Sequence, residues 1–325
     1  MSGQIHKTAR KPFRLALAQA MFRNLPPLFA PRLRGYVYPY RRALRDNYSF
    51  SALSHGGTWL EGNTSDPHAY SFSVTGYYDW RNIAVAAAVC QEGDTIIEVG
   101  ANVGTETVCF AALLGSRGKV IAFEPAPSNI DALRKTMALN SNLNITLFPN
   151  AVGEACKRLR FCAFKSRENS GLGHIATSGD AESAEHIEVE CVTLDSMSEM
   201  MGAARLLAVD VEGLEDSVLK GARRYIQENR PVIILEAVPM HQKRAGSTLR
   251  HLHATLVSFG YKVRTIGTIR LGEADLSDSA KATNWLCVHR EQSDLFRHIA
   301  DVMRRVAFFP CIRGLNPICG GSLDA

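Results

Sequence analysis

One stretch, from Asp94 to Glu124, constrains the fold of this chain more than any other. An apolar run with β-branched residues ends at Val99 and predicts a buried strand. A glycine turn follows, and a helical apolar pattern begins near Thr105. A second apolar run, Lys119 to Phe123, leads to Glu124. This order of strand, turn, helix, strand and acid predicts the first βαβ unit of a nucleotide-binding α/β sheet.

The parts of this unit indicate which ligand it suits. Gly100 and Gly104 let the backbone turn tightly and approach a ligand, and the N–H groups of the next helix suit a carboxylate or phosphate. A dinucleotide site requires G-x-G-x-x-G, whereas this turn reads G-x-x-x-G with Asn102 at its centre. The shorter turn, preceded by Glu98, favours S-adenosylmethionine (SAM) over a pyrophosphate. A purely structural turn in another α/β protein is the alternative interpretation.

Further apolar runs predict the rest of a seven-stranded, mostly parallel sheet. After the first two strands, the predicted strands are 144–148, 205–210, 231–236, 261–265 and 285–289. Two runs, 158–164 and 187–194, predict a β-hairpin inserted before strand four, and the polar segment 166–185 between them predicts a loop that acts as a lid. One helix is predicted from Leu214 to Ile226, and an amphipathic helix is predicted after residue 291.

Composition places the chain among ordinary globular proteins. It has 325 residues, of which 46% are hydrophobic and 21% charged, and no apolar run reaches the length needed to cross a bilayer. The eight cysteines are scattered without a C-x-x-C pair. This pattern predicts reduced thiols in a cytoplasmic protein rather than a disulfide framework or a zinc site.

The net charge of +5 is distributed unevenly along the chain. Residues 1–45 contain ten Lys and Arg and no acid, which leaves 27 basic against 32 acidic residues for the remainder. Such a leader could be solvated or docked on the body, be a mitochondrial presequence, or contact the inner face of an anionic membrane peripherally. A nucleic-acid arm is disfavoured because no recognition motif accompanies the charge.

Six short motifs occur in order at suitable spacing. They are EVGANVG (98–104), FEP (123–125), NAVG (150–153), VTLD (192–195), VDVEG with a following acid (209–215) and RPVIILE (230–236). With them the chain resembles the FkbM family of SAM-dependent methyltransferases over residues 76–290. Two positions depart from the family pattern, since Glu98 replaces its usual Asp and Ala208 replaces a frequent Lys.

The resemblance implies a class I methyltransferase fold, which is Rossmann-like, with helices on both faces of the sheet. It divides the chain into a basic leader with short strands (1–75), the methyltransferase domain (76–290), and a C-terminal helix and tail (291–325). It also implies a small-molecule or glycan acceptor. The implied reaction is O-methylation of a hydroxyl, on a sugar, a glycolipid or polysaccharide, or a glycosylated metabolite. A non-catalytic SAM-binding scaffold and a nicotinamide-dependent oxidoreductase are the alternatives.

Cofactor contacts are predicted at the turn and at the strand ends. Glu98 should face the ammonium group, Glu124 the ribose hydroxyls and Asn150 the adenine edge. The backbone and side chains around the turn and after strand three complete the predicted set, which adds Gly100, Asn102, Gly104, Thr105 and Ala151.

Catalytic candidates follow strands four and five. Asp210 and Glu212 lie where ligands bind in open α/β sheets, and either could remove the acceptor proton or hold its hydroxyls. His241, in the loop after Glu236, is a third candidate. Asp210 with Glu236 could instead bind a divalent cation, although a metal-free site is favoured.

Overall fold

The structure is a computed structural model that describes residues 10–163, 174–175 and 185–319. The predicted lid loop at 166–185 therefore lies almost wholly outside the described residues. The strands are β1 (Ser49–Leu53), β2 (Trp59–Asn63), β3 (Thr95–Val99), β4 (Lys119–Phe123), β5 (Ile145–Phe148), β6 (Ala151–Val152), β7 (Lys157–Ala163), β8 (His174–Ile175), β9 (Glu185–Val192), β10 (Leu206–Val209), β11 (Val232–Ala237), β12 (Tyr261–Ile266), β13 (Leu271–Gly272) and β14 (Thr283–His289).

Within the described residues, the first three helices lie in the basic leader. In chain order they are α1 (Phe13–Phe22), α2 (Ala30–Val37), α3 (Tyr40–Asp46), α4 (Pro67–Thr75), α5 (Trp80–Val89), α6 (Thr107–Leu114), α7 (Pro127–Leu139), α8 (Leu194–Met201), α9 (Glu215–Gly221), α10 (Arg223–Asn229), α11 (Pro239–Arg244), α12 (Leu249–Ser258) and α13 (Leu295–Phe308). None of the described helices is long and apolar enough to cross a membrane.

The main sheet has the order β13-β12-β14-β11-β10-β3-β4-β5 within the described chain. Strands β3, β4, β5, β10 and β11 are mutually parallel, and β12, β13 and β14 pair antiparallel. The two-residue β13 is an addition at the edge, and the other seven strands are those predicted. The chain runs outward from β3 to β5 and returns to β10 on the opposite side of β3, so a topological switch point separates β3 and β10.

Alternating residues of the central strands are buried on opposite faces of the sheet. Ile96 and Leu206 pack in a core with α5, α6 and α13, whereas Ile97 and Leu207 pack in a second core with α9, α10 and α12. Helices therefore cover both faces, and the predicted class I methyltransferase fold is confirmed. One helix prediction was wrong, because the helix expected from Leu214 to Ile226 is divided at Ala222 into α9 and α10.

A second sheet confirms the predicted insertion between β5 and β10. Its strand order is β6-β9-β7-β8, and β7 pairs antiparallel with β9 from Lys157, opposite Cys191, to Ala163, opposite Glu185. Phe161 of β7 is buried and faces the cleft described below. The insertion thus supplies one wall of that cleft.

The leader packs on the body of the protein. Leu15 and Phe22 of α1 are buried against Tyr70 and Val74 of α4. The predicted amphipathic C-terminal helix is α13, whose buried side, including Ile299, packs in the same core as α5. Helix α13 therefore covers the same face of the sheet as α5, whereas the leader packs on α4.

Candidate active site

A cleft that is open to solvent, with a cavity volume of about 210 Å³, lies beyond the carboxyl ends of β3, β4, β10 and β11. This edge, at the switch point, is where open α/β sheets bind ligands. The cleft is lined by most of the predicted site residues, which are Glu98, Gly100, Asn102, Thr105, Glu124, Asn150, Ala151, Asp210, Glu212 and Glu236. The predicted residues Gly104 and His241 do not line it.

The glycine turn is pressed against the end of β10. Gly100 has a φ of +90°, and a Cβ there would lie 1.9 Å from the carbonyl oxygen of Asp210. The Gly100 N–H donates to the carbonyl of Phe123 at 2.9 Å. Gly104 also has a positive φ, +89°, and a Cβ there would meet the flexible Leu133 side chain. The absence of a side chain at Gly100 therefore sets the distance between the two halves of the cleft.

Glu124 is held at the end of β4 by three donors. Its Oε2 accepts from the Asn102 N–H at 2.8 Å, and its Oε1 accepts from the Ala126 N–H at 2.8 Å and from Asn129 Nδ2 at 3.3 Å. Burial raises the pKa of Glu124 to about 7. The carboxylate is thus fixed on the cleft wall by the turn and by the start of α7.

Glu98 is a buried acid that lacks a cationic partner among the described residues. Its side chain is 5% exposed, and its Oε2 accepts from the Thr107 hydroxyl at 2.6 Å. No Lys, Arg or His forms an ion pair with Glu98 in the described part of the chain. Burial, with a smaller effect of the Glu124 charge, raises its pKa to about 8. A cationic group in the cleft beside Glu98 would stabilise its charged form.

Asn102, at the centre of the turn, contacts His68, a cleft residue that the sequence analysis did not predict. Asn102 has a φ of +51°, and its Nδ2 lies 2.8 Å from Nδ1 of His68. Burial lowers the pKa of His68, so the neutral ring accepts from the amide. The His68 ring contacts the Tyr78 ring, with centroids 4.1 Å apart and an interplanar angle of 34°. The Oδ1 of Asn102 is buried and has no hydrogen-bond partner among the described residues.

Two asparagine side chains lead to Glu106, an acid on the cleft wall that the sequence analysis did not predict. Asn284 Nδ2 donates to Asn82 Oδ1 at 2.9 Å, and Asn82 Nδ2 donates to Glu106 Oε1 at 3.0 Å. Burial and the nearby charges of Asp79 and Glu98 raise the pKa of Glu106 well above its usual range. Asn82 and Arg81 are the only polar residues of the described helix α5, and this polar position in an apolar sequence was the available signal.

The carboxylates after β10 and β11 form the opposite wall. Asp210 faces the open cleft. The surrounding protein desolvates this carboxyl group. That desolvation, and then the charges of Glu236, Glu212 and Glu215, raise the pKa of Asp210 well above the usual range. Glu215 accepts from the N–H groups of Val211 and Gly213, each at 3.2 Å, and so fixes the turn that carries Asp210 and Glu212.

His241 lies behind two of these carboxylates. Its Nδ1 is 3.1 Å from Glu236 Oε2 and 3.0 Å from Glu212 Oε2. The hydrogen bond with Glu236, and then the charge of Glu212, raise the pKa of His241 despite its partial burial. Arg244 donates to the Glu212 carbonyl at 2.7 Å and lies 3.5 Å from Glu212 Oε2. His241 and Arg244 therefore orient the carboxylates and do not face the ligand space.

The arrangement alters the predicted cation site. Potential ligand atoms of Glu212, Glu236 and His241 all lie within 4.8 Å of one another. This group, and not the predicted pair Asp210 and Glu236, is the one among the described site residues whose geometry could hold a metal ion.

The chain is similar to several solved structures at low sequence identity. A methyltransferase FkbM from Methylobacillus flagellatus has 16% identity and a TM-score of 0.41, and the match covers 80% of this chain but only 60% of that protein. Fibrillarin from Aeropyrum pernix, solved with bound SAM, has 14% identity and a TM-score of 0.39, with coverage of 74% and 82%. A SAM-dependent O-methyltransferase from Thermotoga maritima has 14% identity and a TM-score of 0.35, with coverage of 64% and 63%.

The family comparison is more specific than the structural one. No curated protein matches the sequence of this chain. The family model of the methyltransferase FkbM domain matches residues 98–263, just over half of the chain. That range includes the glycine turn, both cofactor-side acids, the insertion and the carboxylates after β10 and β11. The chain therefore belongs to the FkbM methyltransferase family.

Proposed function

We propose that this protein is a SAM-dependent O-methyltransferase whose acceptor is a hydroxyl of a sugar, of a glycolipid or polysaccharide, or of a glycosylated metabolite. The observation that carries the proposal is the division of one cleft at the switch point. Buried acids after β3 and β4 line one side, and a cluster of carboxylates after β10 and β11 lines the other. Family membership supports methyl transfer as the reaction class.

The residues on the first side fit SAM. Glu98 is a buried acid that forms no ion pair with any described residue, and it would bind the ammonium group. Glu124 would accept hydrogen bonds from the ribose hydroxyls, and Oδ1 of Asn102, which has no described partner, would accept a hydrogen bond from a further donor. Asn150 and Phe161 would contact the adenine as a polar edge and an apolar face. When bound, SAM supplies a methyl group on a sulfonium centre, which needs no activation by the protein.

The second side has the groups that an alcohol acceptor needs. A hydroxyl must lose its proton as its oxygen is methylated, and a carboxylate with a raised pKa is an effective base near neutral pH. Asp210 has that property and faces the cleft. Glu212 and Glu236 would accept hydrogen bonds from neighbouring hydroxyls, which favours a polyol such as a sugar. His241 acts as a positioning residue for both.

Transfer of a labelled methyl group from SAM to a panel of glycans and polyketide glycosides tests the proposal. Methylation of at least one hydroxyl acceptor is expected, and it should persist in EDTA because the proposed base needs no metal. Loss of activity in EDTA with recovery in Mg²⁺ would instead support a cation at Glu212, Glu236 and His241. SAM binding without transfer to any acceptor would support a scaffold, and binding of NADH in calorimetry would support an oxidoreductase.

SAM affinity should increase with pH below the pKa of Glu98. In the free protein this acid is largely protonated at neutral pH, since its pKa is about 8. A bound ammonium group would lower that pKa, so binding releases a proton and the association constant rises between pH 6.0 and 7.5, by up to about tenfold per pH unit. Calorimetry in buffers of different ionisation enthalpy measures both the affinity and the released proton.

The matched control is Glu98→Gln, which keeps the size of the side chain and removes its titration. Its SAM affinity should be weaker at pH 7.5 and should depend less on pH. Because a raised pKa makes the charged form unfavourable, the free wild-type protein should also lose stability as the pH rises toward 8, and Glu98→Gln should lose less. A wild-type affinity that is constant across this range would contradict the role assigned to Glu98.

A further inference from the structure

Large apolar side chains are concentrated on the surface of two neighbouring terminal segments. Of the 18 large hydrophobic residues that are exposed in the described chain, ten lie between residues 13 and 36 or between 308 and 315. They are Phe13, Leu17, Met21, Phe29, Leu33, Tyr36, Phe308, Phe309, Ile312 and Leu315, and we name them the apolar terminal surface. Exposed apolar side chains that form one contiguous patch mark an interaction site.

Helix α1 shows why these residues are not part of the core. Its buried stripe, including Leu15 and Phe22, already packs on the body. Phe13, Leu17 and Met21 recur at helical spacing outside that stripe and are 78%, 40% and 49% exposed. A helix that packs on a soluble domain ordinarily presents polar residues outward. Helix α1 instead has a second apolar stripe that no described residue covers.

The two terminal segments are joined directly. The Leu28 N–H donates to the Ala307 carbonyl at 3.1 Å, and the Cys311 N–H donates to the Asn24 carbonyl at 3.3 Å. The residues that follow three of these positions are exposed and apolar, namely Phe29, Phe308 and Ile312. The apolar residues of the N-terminal helices and of the chain after α13 therefore belong to one region of the molecule.

The charge around this region is positive. The first acid of the chain is Asp46, and the leader's exposed cations are Arg10, Lys11, Arg14, Arg32, Arg41, Arg42 and Arg45. Arg305 and Arg313 are exposed beside the apolar residues of the C-terminal segment. Apolar side chains surrounded by cations match an anionic bilayer, where the cations meet headgroups and the apolar groups enter the interface. The same positive charge disfavours a second copy of this face.

We propose that the apolar terminal surface, with the basic residues around it, binds the protein peripherally to an anionic lipid bilayer. This inference goes beyond the proposed methyl transfer and does not depend on the identity of the acceptor. Sedimentation of the full-length protein with vesicles tests it. Binding is expected to vesicles of phosphatidylcholine with 30% phosphatidylglycerol, to be weak for phosphatidylcholine alone, and to decrease with added salt.

Two sets of variants separate charge from apolar contact. The triple variant Arg10→Gln, Lys11→Gln and Arg14→Gln should bind anionic vesicles roughly 100-fold more weakly, since each basic residue near such a surface contributes about fivefold. Its control removes three exposed cations elsewhere, in Arg134→Gln, Lys135→Gln and Arg158→Gln. The apolar triple Phe13→Ser, Leu17→Ser and Met21→Ser should also lose binding, and its control is Leu139→Ser, Met200→Ser and Val257→Ser, which are likewise exposed.

Three outcomes would overturn the proposal. One is absence of binding to anionic vesicles. Another is equal loss of binding in the test and control variants, because the effect would then reflect net charge or general hydrophobicity. The last is a dimer in analytical ultracentrifugation that the apolar triple variant abolishes, with no vesicle binding by the wild type, because the surface would then be a contact between two copies. Circular dichroism of each variant confirms that it is folded.

Discussion

Asp210→Asn is expected to lower kcat by about 10²–10⁴-fold, because the variant keeps the shape of the side chain but cannot take the acceptor proton. Asp210 faces the cleft directly after β10, and its pKa is raised well above the usual carboxyl range by its depth and by Glu236 and Glu212. The affinity for SAM should change little, since the cofactor-side acids lie after β3 and β4. Steady-state kinetics with an accepted glycoside, together with calorimetry, separates the two effects.

The pH profile gives an independent readout of the same role. In the wild type kcat should rise with pH until Asp210 is ionised, and the rise should extend above the usual titration range of an aspartate. The Asn variant should lose that part of the profile. Asp131→Asn, at an exposed position on α7, controls for the loss of one charge. A variant at Asp210 that keeps the wild-type kcat and profile would show that another group is the base.

Gly100→Ala is expected to abolish SAM binding at concentrations that saturate the wild type. A Cβ at this position would lie 1.9 Å from the carbonyl oxygen of Asp210, and rigid backbone of two strands cannot move apart without disturbing both sides of the cleft. Since Gly100 and Asp210 are neighbours at the switch point, the change should displace the cofactor turn and the proposed base together. Calorimetry with SAM and thermal unfolding by circular dichroism measure the result.

Gly93→Ala separates the clash from the backbone strain. Gly93 also has a positive φ, +98°, but a Cβ added there would have no atom within 4 Å beyond its chain neighbours. Left-handed strain alone costs about 1–2 kcal/mol, so this control should melt a few degrees lower and bind SAM normally. If Gly100→Ala melted and bound SAM like Gly93→Ala, the close contact between the turn and β10 would have no functional consequence.

Local sequence patterns predicted which acids line the first side of the cleft. The apolar runs that become β3 and β4 are buried on both faces, so their length and β-branched residues identify them. Glu98 lies within β3 and Glu124 directly follows β4, so their places follow from the strand predictions. The structure places both on the cleft wall. The insertion was also predictable, because its two long strands, β7 and β9, pair with each other within one segment of the chain.

Contacts between distant segments were beyond the sequence prediction. His68 is brought to Asn102, and Asn284 to Asn82, by packing of whole elements. His241 was one of three catalytic candidates because it follows β11, and α11 places its ring behind Glu212 and Glu236. A residue's position in the chain thus identified the correct edge of the sheet but could not give the direction of a side chain carried by a loop or short helix.

The central claim is that this cleft binds SAM, and a crystal structure of the protein with S-adenosylhomocysteine tests it most directly. We expect the ligand beyond β3 and β4, with its ribose hydroxyls on Glu124, its ammonium group near Glu98 and its sulfur directed toward Asp210. A ligand bound elsewhere, or a cleft that stays empty at saturating concentration while calorimetry detects NADH, would contradict the account.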